Sequence, residues 1–507
     1  MDDIPVIVDN PYIKDLSNIP LYFEKSVWSL SRVQEKTTPY YRPMFLLSIA
    51  LDYKAWGLNP LGYRITNLIL HFIIVLFVYL IADMLLKDKT GALIASAFFA
   101  LHPANTEVVA WISGRTDAVA GIFLLPAFLL HYKKQYYFSI PLFACALFSK
   151  ETSIVLPLLI GFYSIINGKK LFEILKEITP YLILIIIYLA IRSMVLGGVS
   201  GMVLTHEKSI FLVKVIFHYL RFIIFPLPIA FIPDDAASTT LFPDIIGAII
   251  FASIIIFSLK MKRKAVLFLL IWIGVAIIPT FAVILNPLHS FTYRFLYIPL
   301  IGCAIIIGGL ASHIFKNWDK SARYAATSIM FIALISYTAI IYIHGFNYRS
   351  NTALWENSLK YFPDSAFAHS YLAASLDDIE GQIHHYKIAI NIDPSGSYSG
   401  NRYIGLGTAY AKLGNYAIAK EYIEKGIKNA STYAGMSVGC NSLGNIYYLE
   451  KNLSEAKRMY EKAIETDNLN AEAYYNLALA LKSMGMTEEA SQYMKQYETL
   501  ASEQKLK

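Results

Sequence analysis

Two neighbouring carboxylates, Asp2 and Asp3, open the chain, and Asp9-Asn10-Pro11 follows. Paired acids can divide labour, one taking a proton from an acceptor hydroxyl and the other orienting it. Without a partner site they are only a solvated acidic terminus. The densest group of ionisable residues is His102-Pro103-Ala104-Asn105-Thr106-Glu107, continued by Gly114-Arg115-Thr116-Asp117. Pro103 ends a helix there, so His102, Glu107, Arg115 and Asp117 gather at one helix junction. Three cations stand elsewhere: Arg42 in Tyr40-Tyr41-Arg42-Pro43, Lys150 before Glu151, and Arg294 in Tyr293-Arg294-Phe295-Leu296-Tyr297-Ile298-Pro299. A guanidinium can hold a phosphate through two parallel hydrogen bonds. The plainer readings are a snorkelling interface arginine and, for Lys150-Glu151, an ion pair closing a tight turn. His71 reads as a buried histidine satisfied by a neighbouring helix. No Walker loop, GxGxxG, HExxH or CxxC is present, so the residues call for no metal and no cofactor.

These side chains stand out because of the elements that must position them. Apolar residues make up 56% of the 507 and charged residues 16%, against about 25% charged in a soluble domain. A soluble single-domain enzyme and a disordered chain are thereby excluded. The 44 basic and 37 acidic side chains leave a net +7, too little to imply nucleic acid. Cys145, Cys303 and Cys440 are too few and too scattered for a disulfide framework.

A helix needs about 20 apolar residues to cross a bilayer. Segments 66–86, 91–109, 117–132, 137–150, 153–167, 178–196, 243–259, 265–285, 297–315 and 323–344 are the candidates, about ten spans in all. Basic clusters at Lys87/Lys89, Lys133/Lys134, Lys169/Lys170, Lys260–Lys264 and Lys316–Arg323 mark the cytoplasmic loops. Stretch 209–230 is apolar, yet counting it as a span would put Lys260–Lys264 outside. Its Lys214, His218 and Arg221 repeat at helical spacing, so it reads as an interfacial helix. This topology leaves 1–64 as a first extracytoplasmic loop and puts everything after residue 345 on the same side.

Beyond residue 345 the chain turns polar and repetitive. Leu443-Gly444-x-x-Tyr447 with Ala456, Tyr460 and Ala463 has tetratricopeptide spacing, and Leu477, Ala478, Leu481 and Ala490 repeat it. Leu406-Gly407-x-x-Tyr410 with Ala419 precedes it, and a degenerate copy runs from Ala366 to Pro394. Small residues let paired helices approach, and such arrays offer a concave groove to peptides. The expected fold is all-α: a polytopic membrane bundle over 1–344, then an α-solenoid over 345–507.

In order along the chain, Asp2-Asp3, Asn10-Pro11, Trp28, Tyr41-Arg42-Pro43, Gly62-Tyr63, Asn67 to His71, Leu101-His102-Pro103 to Glu107, Gly114 to Asp117, Ser149-Lys150-Glu151, Arg294 to Pro299 and Arg349 to Trp355 resemble the transmembrane and tetratricopeptide repeat-containing O-mannosyltransferases, of the GT-C type. The resemblance implies transfer of a sugar, mannose in eukaryotic members, from a polyprenyl phosphate to protein Ser or Thr outside the cytoplasm. It implies that Asp2 and Asp3 are catalytic and that Arg294, with Arg42 or Lys150, binds the donor phosphate. His102, Glu107, Arg115, Asp117 and Glu151 would line the cavity, and the repeats would hold the acceptor or a partner. Three departures stand against the pattern. The helix expected before the acidic pair is missing, which points to one lost upstream; Tyr63-Arg64 replaces a His before Asn67; and the array is short. The short array resembles prokaryotic members, and hence a plasma membrane. The competing expectations are a non-catalytic membrane anchor displaying a repeat scaffold, and an O-antigen-type glycan ligase or polymerase.

Overall fold

The computed structural model describes residues 3–8, 10–30, 40–197, 206–227, 230, 241–258, 263–284, 292–396 and 398–505, and every regular element among them is helical. Among the described residues, six helices are long and apolar enough to cross a membrane: Pro60–Leu86, Ser113–Tyr132, Leu171–Leu196, Lys264–Phe281, Pro299–Asn317 and Lys320–Arg349. Three shorter apolar helices, Tyr136–Ser149, Glu151–Ile166 and Pro243–Phe257, fall on three more expected spans. The large apolar side chains left facing outward, such as Phe72, Ile186 and Phe331, suit a lipid solvent.

Segment 91–109 is not one rod. Lys89–Ala100 and Pro103–Ala110 meet at 51°, because Pro103 cannot continue the ladder and polar side chains satisfy the broken end. Asn105 donates to the Phe99 carbonyl at 2.6 Å, and His102 Nδ1 accepts from the Ala104 amide at 3.1 Å. His71, on Pro60–Leu86, braces the break: its ring nitrogens lie 2.7 Å from the Tyr297 hydroxyl and 3.2 Å from the Ala100 carbonyl. The neighbouring helix does satisfy it, as its isolation in an apolar run suggested.

At the other end Asp88 starts the Lys89–Ala100 helix by accepting from the Thr90 amide. The same carboxylate takes hydrogen bonds from Ser312 at 2.5 Å and Lys316 at 2.9 Å, tying on the Pro299–Asn317 helix. Those two helices pack through small residues: a Cβ on Gly308 would collide with the Gly91 carbonyl and Ala95. Backbones this close gain dispersion energy that lipid cannot supply.

The stretch expected at the interface folds as His206–Ile224. Its His218 and Arg221 do not face a headgroup layer. Both are buried, and Arg221 donates to Asp244 of the Leu241–Ser258 helix at 2.6 Å. Helical spacing identified the face correctly, but that face is turned inward.

Lys320–Gly345 runs through Phe346–Arg349 into Asn351–Tyr361 and the repeat pairs. Gly407 packs on Ile423 and Ala419, and Gly444 on Tyr460, where a Cβ would not fit. The repeats are seated on the membrane half by one cluster, in which Trp111 packs with Tyr348, Leu354, Trp355 and Phe367. Arg64 adds a hydrogen bond to the Tyr348 carbonyl at 2.8 Å.

Candidate active site

The residues flagged in sequence sort themselves by whether they already have a partner. The Arg42 side chain makes no cap hydrogen bond to its own helix and instead grips Glu151 with two hydrogen bonds, at 3.0 and 2.5 Å, over the Tyr40 ring. Lys150 donates to Asp117 at 2.6 Å, with both side chains almost fully buried. Lys150 and Glu151 therefore do not close their own turn; each reaches to a different element. Helix Thr116–Tyr132 brings Asp117, and the segment before Pro43–Trp56 brings Arg42.

Arg294 differs from those two cations. It stands in the turn Tyr293–Leu296 ahead of helix Pro299–Asn317, with its guanidinium 4.6 Å above the Trp111 ring. No carboxylate among the described residues reaches it as an ion pair, and its Nε has no hydrogen-bond partner. Phe295 separates it from Lys150, whose ammonium is 5.3 Å from the same ring. An aromatic face and a turn of backbone hold this cation beyond ion-pair distance of the described carboxylates, so it can meet an anion.

Glu107, fully buried, accepts from the Arg294 backbone amide at 3.3 Å. It thus anchors the turn rather than pairing with the guanidinium. Asp3 accepts from the Ser113 amide at 2.9 Å, which brings the start of the chain to the segment that also carries Glu107 and Trp111. Asp2 lies outside the described residues.

Besides Glu107, two expected cavity residues are not presented to any open surface. His102 is completely buried, and both ring nitrogens are used, one by Ala104 and the other by the Ile223 carbonyl at 3.1 Å. Arg115 is completely buried as well. It meets Asp52 at 2.6 Å and donates to the Ile112 and Tyr63 carbonyls, each at 3.2 Å. Asp117 does line a small cavity with Thr152, Ser153, Phe295 and Pro299. Asp52, Trp111 and Ser113 belong to this arrangement and were not singled out in sequence. Asp52 could have been found as a lone acid at the end of the mildly apolar run Met44–Leu51. Ser113 acts through its backbone, which has no signature in sequence.

Comparison with known proteins matches two separate stretches of the chain. The family described as dolichyl-phosphate-mannose-protein mannosyltransferase matches residues 38–197. Tetratricopeptide repeat families match 401–433, 444–485 and 471–504. Protein O-mannosyl-transferase Tmtc1 of Drosophila melanogaster is 32% identical over 173 residues, 33% of this chain and 20% of that protein. Protein O-mannosyl-transferase F38B6.6 of Caenorhabditis elegans is 24% identical over 425 residues, 78% of this chain and 60% of its own length.

The chain is similar to the TMTC-like protein O-mannosyl-transferases in both its mannosyltransferase-like stretch and its repeats. Its apolar helices and these matches make it a multi-pass membrane protein with a repeat domain. The matched regions span less than two thirds of the relatives' own length. The mannosyltransferase match contains Arg42, His102, Glu107, Arg115, Asp117, Lys150 and Glu151, whereas Asp3 and Arg294 lie outside it. Among solved structures, the crystal structure of MamA is 19% identical, covers 31% of this chain and 90% of its own, and has a TM-score of 0.26.

Proposed function

We propose that this protein moves a sugar, mannose or one like it, from a polyprenyl phosphate to Ser or Thr hydroxyls of a protein on the extracytoplasmic face. In this reading residues 1–64 and 345–507 lie on that face, in the plasma membrane of a prokaryote. The observation that carries it is Arg294, a cation that forms no ion pair with Asp3, Glu107, Asp117 or Glu151, the flagged carboxylates among the described residues. Arg42 and Lys150, paired with Glu151 and Asp117, set the field around it rather than bind the phosphate directly.

The chemistry asks for two groups. A hydroxyl is a weak nucleophile, so Asp3, with Asp2 beside it, takes its proton as the acceptor oxygen bonds to the anomeric carbon. The bond from that carbon to the phosphate oxygen breaks at the same time, and the lipid phosphate leaves carrying its charge. Arg294 stabilises that charge. No metal or cofactor is needed for the electrons and protons to balance. The repeats hold the acceptor chain or a partner above the site.

The test is intact-mass measurement of a co-expressed acceptor, with any upstream coding sequence retained. Asp2→Asn, Asp3→Asn and Arg294→Ala are expected to lower transfer by roughly 100-fold or more while the protein still elutes as a folded species. Glycosylation unchanged in all three variants would leave the scaffold reading instead. In that case substitutions in the repeat groove, at Asn401, Thr408 or Thr432, should be the ones that matter.

A further inference from the structure

Three contacts of the site come from one short stretch of chain. Within 107–115, the Glu107 carboxylate accepts from the Arg294 amide, the Trp111 ring lies under the Arg294 guanidinium, and the Ser113 amide donates to Asp3. The stretch is wound tightly: the Trp111 amide donates to the Glu107 carbonyl and the Gly114 amide to the Trp111 carbonyl. A Cβ on Gly114 would come within 2.7 Å of the Glu107 carbonyl oxygen.

Two buried side chains lock that winding, Asn67 from another element and Arg115 from the end of the segment itself. Asn67, on Pro60–Leu86, donates from one amide nitrogen to the Val109 carbonyl at 3.1 Å and the Trp111 carbonyl at 3.2 Å. Arg115 folds back on the Ile112 carbonyl, reaches the Tyr63 carbonyl, and is neutralised by Asp52. Asp52 is itself held by the Thr66 hydroxyl at 2.8 Å. Both Asn67 and Arg115 are fully buried, so neither can touch a lipid phosphate or an acceptor chain.

We propose that segment 107–115 sets the separation of the Asp3 carboxylate from the Arg294 guanidinium, and that Arg115 and Asn67 are positioning residues for sugar transfer. The inference rests on the function proposed above. An acceptor oxygen must lie in line with the departing phosphate, so base and cation have to be held at one distance from each other. A segment that grips both, itself gripped by side chains from Pro43–Trp56 and Pro60–Leu86, does this before substrate arrives. The fork of Arg115 matters more than its charge, because two of its contacts are to carbonyl oxygens. Trp111 shares one apolar cluster with Trp355 and Phe367, which joins the first repeat helices to the same assembly.

Full-length protein in lipid nanodiscs, given a synthetic polyprenyl-phosphate mannose and a Ser/Thr peptide, provides the test. Arg115→Lys keeps the charge and loses the fork. It is expected to lower kcat roughly 100-fold, the scale of a misplacement of about 1 Å, with the KM for either substrate within about twofold. Hydrogen exchange should quicken together at 4–8 and 293–296 and stay unchanged at 401–485. Asn67→Ala reaches the same segment from another side and should give the same pattern. A raised KM with unaltered kcat, an unaltered kcat, or exchange that quickens throughout the protein would each overturn the proposal. If the wild-type protein transfers no sugar, the proposed function fails. The exchange measurement then decides alone: coupled loosening of the two segments supports the positioning role, and no change at either removes it.

Discussion

In the membrane half, Lys150 and Asp117 meet with side chains 3% and 6% exposed, and Arg115 and Asp52 with 0% and 7%. In the repeats, Lys457 lies between Glu461 and Glu489 with side chains 27%, 40% and 50% exposed. Similar pairs of charges therefore do different work. Out of water the attraction between two charges is strong, yet so is the penalty for stripping either of its hydration, and the balance is kept only while both are present. At the repeat surface water screens the pair and replaces a lost partner at little cost. Arg402, whose side chain is 3% exposed, is the repeat residue that resembles the membrane half, since it reaches Asp393 and Ser370 from inside the array. The comparison teaches that charges in the bundle are part of its architecture, which sets Arg294, without an ion pair to a described carboxylate, apart from Arg42, Arg115 and Lys150.

The sharpest way to break this contrast is to remove one partner of a buried pair. Lys150→Met leaves the Asp117 carboxylate buried and unpaired, with an expected loss of about 3–5 kcal/mol, read as a lowered unfolding temperature in detergent. The double variant Lys150→Met/Asp117→Met is expected to recover much of that loss. A single variant as stable as the wild type would show that water reaches the pair.

A smaller effect is expected from pH in the first repeat. The His369 and His385 rings lie 2.9 Å apart through their Nδ1 atoms, and His384 is adjacent. Burial, and then the neighbouring His369 and His384, lowers the pKa of His385 below its ordinary value of 6.5. The folded protein therefore favours the neutral ring, while the unfolded chain takes up a proton from about pH 6.5 downward. Stability of this pair of helices should be full above that pH and fall below it. Hydrogen exchange over 366–392 should quicken between pH 7.5 and 5.5, and His385→Gln should flatten the response.

The smallest expected effect is at the repeat surface. Lys457→Ala should change stability by about 1 kcal/mol or less, measured as the unfolding temperature. A drop as large as that of Lys150→Met would erase the distinction between the two halves.

Much of the arrangement was legible from residue types. Pro103 marked the bend, because a missing amide and a fixed φ break any helix. The glycines and alanines at Gly407, Gly444, Ala419 and Ala456 marked the repeats, because only small residues permit that approach. The ionisable residues gathered at helix ends stood out against an apolar background, and most of them do meet in space.

What sequence could not assign was who partners whom. Lys150 stands beside Glu151 in the chain, yet Asp117 and Arg42 are the partners chosen, since the backbone at a helix junction aims adjacent side chains at different elements. His102 and Arg115 read as cavity residues because they are polar, but their burial depends on helices far away in the chain. The role of Ser113 rests on a backbone amide that any residue would supply.

By itself, then, the sequence determined the two halves, the helices that build them and the supply of charges, because periodicity, hydropathy and steric size are local properties. The tertiary structure alone decided which of the flagged charges cancel and which does not. Ion pairing at 2.5 to 4 Å depends on the mutual placement of whole helices, and only after Glu151 and Asp117 are taken does Arg294 remain as a cation for an incoming anion.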